Sequence, residues 1–269
     1  MKKKLALLLA LVMAFSVFTL AACGSDKKDA SNDDKTFVVG FDAEFPPYGY
    51  KNDKGEYVGF DLDLARELCK RKGWTFKAQP IDWDSKDMEL NSGTIDCIWN
   101  GFTMNGREDS YTFSTPYIDN SQVIVVKSDS GINSLADLAG KVVAVQTDSS
   151  AEAVLKEDQK DLAATFGNLD VEKDYNSCFM NLESGAVDAI AMDVGVADYQ
   201  ISQRGDAFRK LDETLSSEQY AIGFKKGNTA LRDEVQAVMN EMFADGTVQK
   251  LAEQYGIDSS MLLNTAEME

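Results

Sequence analysis

Histidine is absent from all 269 residues. That removes every Ser-His-Asp or Cys-His nucleophilic mechanism and every imidazole metal site in one step. Basic residues are the second shortage. Twenty-seven lysines and arginines stand against 45 aspartates and glutamates, a formal charge of −18. That balance repels nucleic acid phosphates and anionic lipid headgroups, so no nucleic-acid partner is expected. Cysteine is the third, with only Cys23, Cys69, Cys97 and Cys178. Apart from Cys23 the count is odd and the spacing wide. Cys97 falls in an apolar strand pattern and Cys69 on the inner stripe of a helical one, so these read as buried thiols rather than disulfides. Nothing in the pattern asks for a metal or a cofactor.

Long hydrophobic runs are also scarce. The one at residues 5–20 follows Met1-Lys2-Lys3-Lys4 and leads into Leu20-Ala21-Ala22-Cys23-Gly24-Ser25. By length it could span a membrane, but small residues just before a cysteine fit cleavage better. The segment resembles a bacterial lipoprotein signal. That resemblance implies removal of residues 1–22, lipid on the Cys23 thiol and α-amine, and anchoring at the extracytoplasmic face of the cell membrane. Residues 23–36 carry many charges and no apolar periodicity, which predicts a disordered tether. The folded body is expected to begin near Phe37.

What is present in abundance is self-similarity. Residues 88–98 read MELNSGTIDCI and residues 180–190 read MNLESGAVDAI, sharing Met88/Met180, Leu90/Leu182, Gly93/Gly185, Asp96/Asp188 and Ile98/Ile190 at an offset of 92. Upstream, Val38-Val39-Gly40-Phe41-Asp42 matches Val142-Val143-Ala144-Val145-Gln146 at an offset of 104, so the first copy is longer by 12 residues. The surplus falls at residues 48–59, where Asn52-Asp53-Lys54-Gly55 predicts a hairpin turn between aromatic-rich arms. A repeated strand–helix–strand unit of this size is too large for a solenoid. It predicts an α/β fold of two similar open-sheet lobes with a ligand cleft between them.

The chain pass places strands at 37–41, 74–78 and 95–99 and helices at 60–73 and 85–91 in lobe one. Strands at 123–126, 141–146 and 187–192, with helices after Ser150 and at 178–184, follow in lobe two. A strand at 220–224 and helices at 229–243 and 247–255 close the chain. The expected boundaries are 37–119 for lobe one, 120–217 for lobe two and 218–269 for a return to lobe one. Two crossings, near 118–121 and 216–219, form a two-stranded hinge that favours rigid-body closure. Sheet order is not readable from this pattern.

Ligands of open α/β sheets bind beyond the carboxyl ends of the strands. Those ends hold Asp42, Phe45, Trp83, Asn100, Gly101, Thr103, Arg107, Gln146, Ser149, Ser150 and Asp193. Several have a simpler structural reading. Arg107 can pair with Glu108 or Asp109, Asp193 and the serines can cap helices, and Trp83 can be plain core. Taken together, Gly40-Phe41-Asp42-Ala43-Glu44-Phe45-Pro46-Pro47-Tyr48, Val58-Gly59-Phe60-Asp61-Leu62-Asp63-Leu64-Ala65 and Asn100-Gly101-Phe102-Thr103 before Arg107 resemble the polar amino-acid-binding proteins of ABC importers, a type II periplasmic-binding-protein fold. The resemblance covers nearly all of residues 37–257.

That resemblance implies a role for each residue. Arg107 corresponds to the arginine that takes the α-carboxylate, for which a planar guanidinium fork is suited. Ser149 and Ser150 sit at a helix start that favours an anion. Asp193 corresponds to the acceptor of the α-ammonium. Phe45 and Trp83 correspond to the aromatic pair around the ligand side chain, with Asp42 at its far end. Asn100, Gly101 and Thr103 supply backbone and hydroxyl contacts, and Gln146 lies at the matching strand end of lobe two. Two departures stand out: the segment Asn105-Gly106-Arg107 is one residue short, and Asp148 stands where glycine is usual.

The implied protein is a monomeric lipoprotein that hands a polar L-amino acid to an ABC permease, not an enzyme. Two rivals use the same scaffold: a dehydratase of cyclic carboxylic acids, for which Glu44 would be the catalytic carboxyl, and a ligand-sensing module. Asp42 with Glu44 near the side-chain end disfavours acidic ligands, leaving cationic and neutral polar amino acids.

Overall fold

The computed structural model describes residues 35–263. The signal segment, Cys23 and most of the expected tether lie outside the described residues. The chain opens with β1 (Thr36–Phe41) and a small antiparallel sheet of β2 (Glu44–Phe45), β3 (Gly49–Lys51) and β4 (Tyr57–Val58), turned at Asn52–Gly55 as expected. Then come α1 (Phe60–Lys72), β5 (Thr75–Pro80), α2 (Lys86–Ser92), β6 (Cys97–Ile98) and β7 (Tyr111–Phe113). The long β8 (Ile118–Lys127) leads to β9 (Val142–Gln146), α3 (Ser150–Lys156), α4 (Lys160–Ala163), β10 (Asn168–Glu172), α5 (Tyr175–Ser184), β11 (Ala189–Asp193) and α6 (Val194–Arg204). The 13-residue β12 (Phe208–Tyr220) returns to β13 (Gly223–Lys225), α7 (Thr229–Ala244) and α8 (Thr247–Gln254).

Local sequence explains the helix ends. In α1, Asp61 and Asp63 occupy the first turn and Lys70, Arg71 and Lys72 the last, complementing the helix dipole, and Gly73 at φ 67 closes it. Its Leu62, Leu64, Ala65, Leu68 and Cys69 are buried. A capping box at Ser134 and Asp137 starts the helical turn Leu135–Leu138.

Two five-stranded sheets form the lobes, in the orders β5-β1-β6-β13-β7 and β10-β9-β11-β8-β12. Their first four strands follow one plan. A central strand (β1 or β9) lies between two parallel neighbours, and an antiparallel strand (β13 or β8) flanks the third. The repeat holds to the hydrogen bond. Val39 pairs with Cys97 as Val143 pairs with Ala189. Asp96 accepts from the Val38 amide at 2.7 Å, and Asp188 accepts from the Val142 amide at 2.8 Å. Gly93 and Gly185 both end their helices at φ 80, ψ 18.

The two crossings pair with each other. Ile118–Gln122 of β8 runs antiparallel to Ser216–Tyr220 of β12, a two-stranded hinge between the lobes. The strand expected at 220–224 is in fact split. Tyr220 still pairs with Ile118 in the hinge, whereas Gly223 pairs with Ile98 and Phe113 in the first sheet, so the chain changes sheets at Ala221–Ile222. The strand expected at 95–99 keeps only Cys97–Ile98, and the helix expected from Ser85 is entered through a 3-10 turn at Trp83–Ser85. The hydrophobic pattern marks no element at β10 or α6 and only the last residue of β12. Cys69, Cys97 and Cys178 are free and buried; burial pushes the Cys69 thiol up to about 12 and raises the other two as well.

Candidate functional site

The lobes touch across the cleft, where Gln146 bonds Asp42 and Asp148 meets Trp83, Lys86 and Arg107. At the end of β1, the Asp42 amide donates to Asn100 Oδ1 at 2.9 Å. The next residue, Gly101, is held by its own amide, which donates to the buried Asp61 carboxylate at 2.6 Å. Gly101 has φ 57, and an added Cβ would lie 2.9 Å from both the Phe45 and Tyr220 rings, so only glycine fits here. Thr103 Oγ1 donates to Glu218 at 2.8 Å. Arg107 is half-buried, with its guanidinium 5.1 Å from the Phe102 ring centroid. Its Nη1 donates to the Thr103 carbonyl at 3.0 Å and its Nη2 reaches the Asp148 carbonyl of lobe two at 3.5 Å. It forms no ion pair with Glu108 or Asp109, so its positive charge remains available to an anion.

Asp193 lies at the N-cap position of α6 but makes no capping bond. It faces the cleft floor instead, accepting from Tyr220 Oη at 2.6 Å, Gln122 Nε2 at 2.8 Å, Asn120 Nδ2 at 3.0 Å and Tyr175 Oη at 3.4 Å. Burial, and then the neighbouring Glu218 charge, push its carboxyl up to about 7. Glu218, on the hinge strand β12, accepts from the same Asn120 and Gln122 amides, each at 2.8 Å, and also from Ser150 Oγ. Two buried carboxylates therefore share neutral donors, and neither has an ion-pair partner among the described residues.

Sequence reasoning missed Asn120, Gln122, Glu218, Tyr175 and Tyr220. A signal existed: Asn120 and Gln122 interrupt an apolar strand at a spacing of two, which puts both on one face. Asn120 is also directly opposite Glu218 in the register.

At the other end of the cleft, Asp42 accepts from the Glu44 amide at 2.8 Å and from Gln146 Nε2, across the lobes, at 2.6 Å. Burial raises it to about 6. Phe45 packs 6.0 Å from the Tyr175 ring of lobe two. Trp83 sits edge-on to Phe102 and donates Nε1 to the Asp148 carbonyl at 3.2 Å. A cavity of about 420 Å³, lined by Asp42, Glu44, Trp83, Lys173 and Asp174 among others, opens beside them at the cleft mouth. Glu44 is exposed there and bonded to Asn176. The serines are placed differently from the expected anion seat. Ser149 caps the seven-residue α3 by accepting from the Glu152 amide at 3.1 Å, and Ser150 gives its hydroxyl to Glu218.

With this geometry in view, comparison with known proteins is specific. Residues 37–258 match the profile of the bacterial extracellular solute-binding proteins, family 3. The arginine-binding extracellular protein ArtP of Bacillus subtilis is 31% identical over 92% of this chain and 96% of its own. A substrate-binding protein of an ABC uptake transporter from Streptococcus pneumoniae, solved with histidine bound, superimposes with a TM-score of 0.80 at 32% identity, covering 84% of this chain and 93% of that one. An ancestral arginine-binding protein, solved with arginine and with glutamine, gives 0.75 at 38% identity, covering 82% and 97%.

Proposed function

Because the chain belongs to the family 3 bacterial extracellular solute-binding proteins, we propose that its cleft captures a polar L-amino acid by hinge closure and presents it to the permease of an ABC importer. Arg107 takes the α-carboxylate. Asp193, backed by Glu218, takes the α-ammonium. The ligand side chain runs between Phe45 and Trp83 toward Asp42, with Asn100, Gly101, Thr103, Gln146, Ser149 and Ser150 completing the walls. The protein works as a lipid-anchored monomer held by Cys23 at the extracytoplasmic face.

One observation carries this reading: the cleft floor buries Asp193 and Glu218 side by side, and neither pairs with a lysine or arginine among the described residues. Like charges so placed are costly unless a cation joins them, and an α-ammonium would supply that cation. Asp42 adds a third buried carboxylate at the opposite end, which favours a second positive charge on the ligand side chain. Relatives named for arginine, or solved with histidine or with glutamine, support a polar ligand, cationic or neutral.

A calorimetric and thermal-shift screen of the twenty amino acids, ornithine and cystine tests the reading. Arginine, lysine, ornithine or histidine should bind most tightly, and Asp42→Asn should weaken a cationic ligand far more than glutamine. Tightest binding of glutamate, or binding of no amino acid, overturns it. For the anchor, Cys23→Ala should release the protein from the membrane fraction without changing ligand affinity; retention after a high-salt wash would contradict it.

A further inference from the structure

Lys86, on α2 of lobe one, exposes only 2% of its side chain, and its counter-charge comes from the other lobe: Nζ binds the carboxylate of Asp148, whose own side chain is 52% exposed. Within lobe one, Nζ reaches the Trp83 carbonyl at 3.5 Å and lies 5.2 Å from the Trp83 ring centroid. Burial draws its pKa below the ordinary lysine value in spite of Asp148. Asp148 has φ 55, the one positive φ outside glycine among the described residues, a conformation aspartate tolerates better than most side chains. In that conformation its carboxylate meets Lys86, and its carbonyl accepts from Trp83 Nε1 and Arg107 Nη2, all of lobe one. Its amide donates to Glu152 of its own lobe at 2.6 Å. The other ion pair across the cleft among the described residues, Lys173 with Asp82, is 70% and 61% exposed and contributes little after screening by water and salt.

We propose that Lys86 and Asp148 form an ionic latch that draws the two lobes together before ligand arrives. Opening the cleft separates the pair; water then resolvates both charges, so the bias toward closure is a fraction of the bare attraction. A latch of this kind raises the population of the binding-competent shape, and apparent affinity scales with that population whatever the ligand. The inference rests on hinge closure but not on the identity of the ligand.

The test uses Asp148→Asn, which keeps a residue suited to the positive φ and removes only the charge, together with Lys86→Met and the double variant. Spin labels at Lys70→Cys and Lys160→Cys report the interlobe distance in ligand-free protein. Each single variant should shift the distribution toward longer distances. Each should weaken every bound amino acid by one common factor, on the order of tenfold, and the double variant should be no weaker than the worse single one. An unchanged ligand-free distribution in Asp148→Asn, or a loss confined to one ligand, overturns the latch. Because the distances are measured without ligand, this outcome is separate from failure of the amino-acid assignment.

Discussion

At the end of β6 lobe one carries Gly101, and at the matching place in the repeat, the end of β11, lobe two carries Asp193. Around these two positions the lobes agree to the bond. The same aspartate accepts from the same strand amide, the same glycine ends the preceding helix, and the same register joins the strands. At the positions themselves they have parted. Lobe one has no side chain there, so that Phe45 and Tyr220 can close over bare backbone. Lobe two has a carboxylate there and buries it. Lobe one alone has the hairpin of β2, β3 and β4, which delivers Phe45. The duplicated part therefore builds two matching sheets, and in the proposed binding mode the divergent ends make one lobe a cradle and the other a clamp.

Removing the clamp should have the largest effect. Asp193→Ala is expected to cost about 4–5 kcal/mol of ligand binding, since it leaves the ammonium buried without its carboxylate. Titration calorimetry measures it. Arg107→Ala, on the cradle side, should cost less, about 2–3 kcal/mol, because the guanidinium is half-exposed and water can partly replace it. Arg107→Lys should recover only part of that, since it lacks the planar fork. Equal losses at Asp193 and Arg107 would erase the distinction between clamp and cradle.

Gly101→Ala tests the divergence at the strand end directly. The added Cβ meets two rings at 2.9 Å from a left-handed backbone, and a stability loss of about 2 kcal/mol is expected in urea unfolding. The smallest effect concerns pH. Asp193 is raised from 3.8 to about 7, so between about pH 4 and pH 7 the ligand-free fold holds a proton that the unfolded chain gives up. That contribution to stability is present at low pH and is lost as pH rises through 7. Ligand binding needs the charged carboxylate, so affinity should rise from pH 5 to pH 7.5 with proton release. Calorimetry in two buffers of different ionisation heat detects the proton.

Much of this was legible in the sequence, and the failures have physical causes. The repeat and the strand ends were readable because sheet burial leaves apolar runs and capping leaves glycine at fixed places. Sheet order was not, because partners such as β13 with β6 and β7 lie far apart in the chain and periodicity carries no information about pairing. The two crossings are legible as a hinge, but the register that sets Asn120 opposite Glu218 is not, so the polar face of Asn120, Gln122 and Glu218 beside Asp193 stays hidden. Helix α6 escaped because Gly195 sits in its first turn and its buried residues are only Val196, Ala197 and Gln200. Ser149 and Ser150 were located correctly on the chain, but their hydroxyls serve the helix cap and Glu218.

On the proposed reading, one ligand is gripped by both lobes at once, cradle and clamp together. Small-angle scattering on the same sample without ligand and saturated with its best amino acid tests this most directly. A smaller radius of gyration is expected with ligand, and no such compaction in Asp193→Ala at the same ligand concentration. A radius unchanged by every amino acid that binds would contradict it.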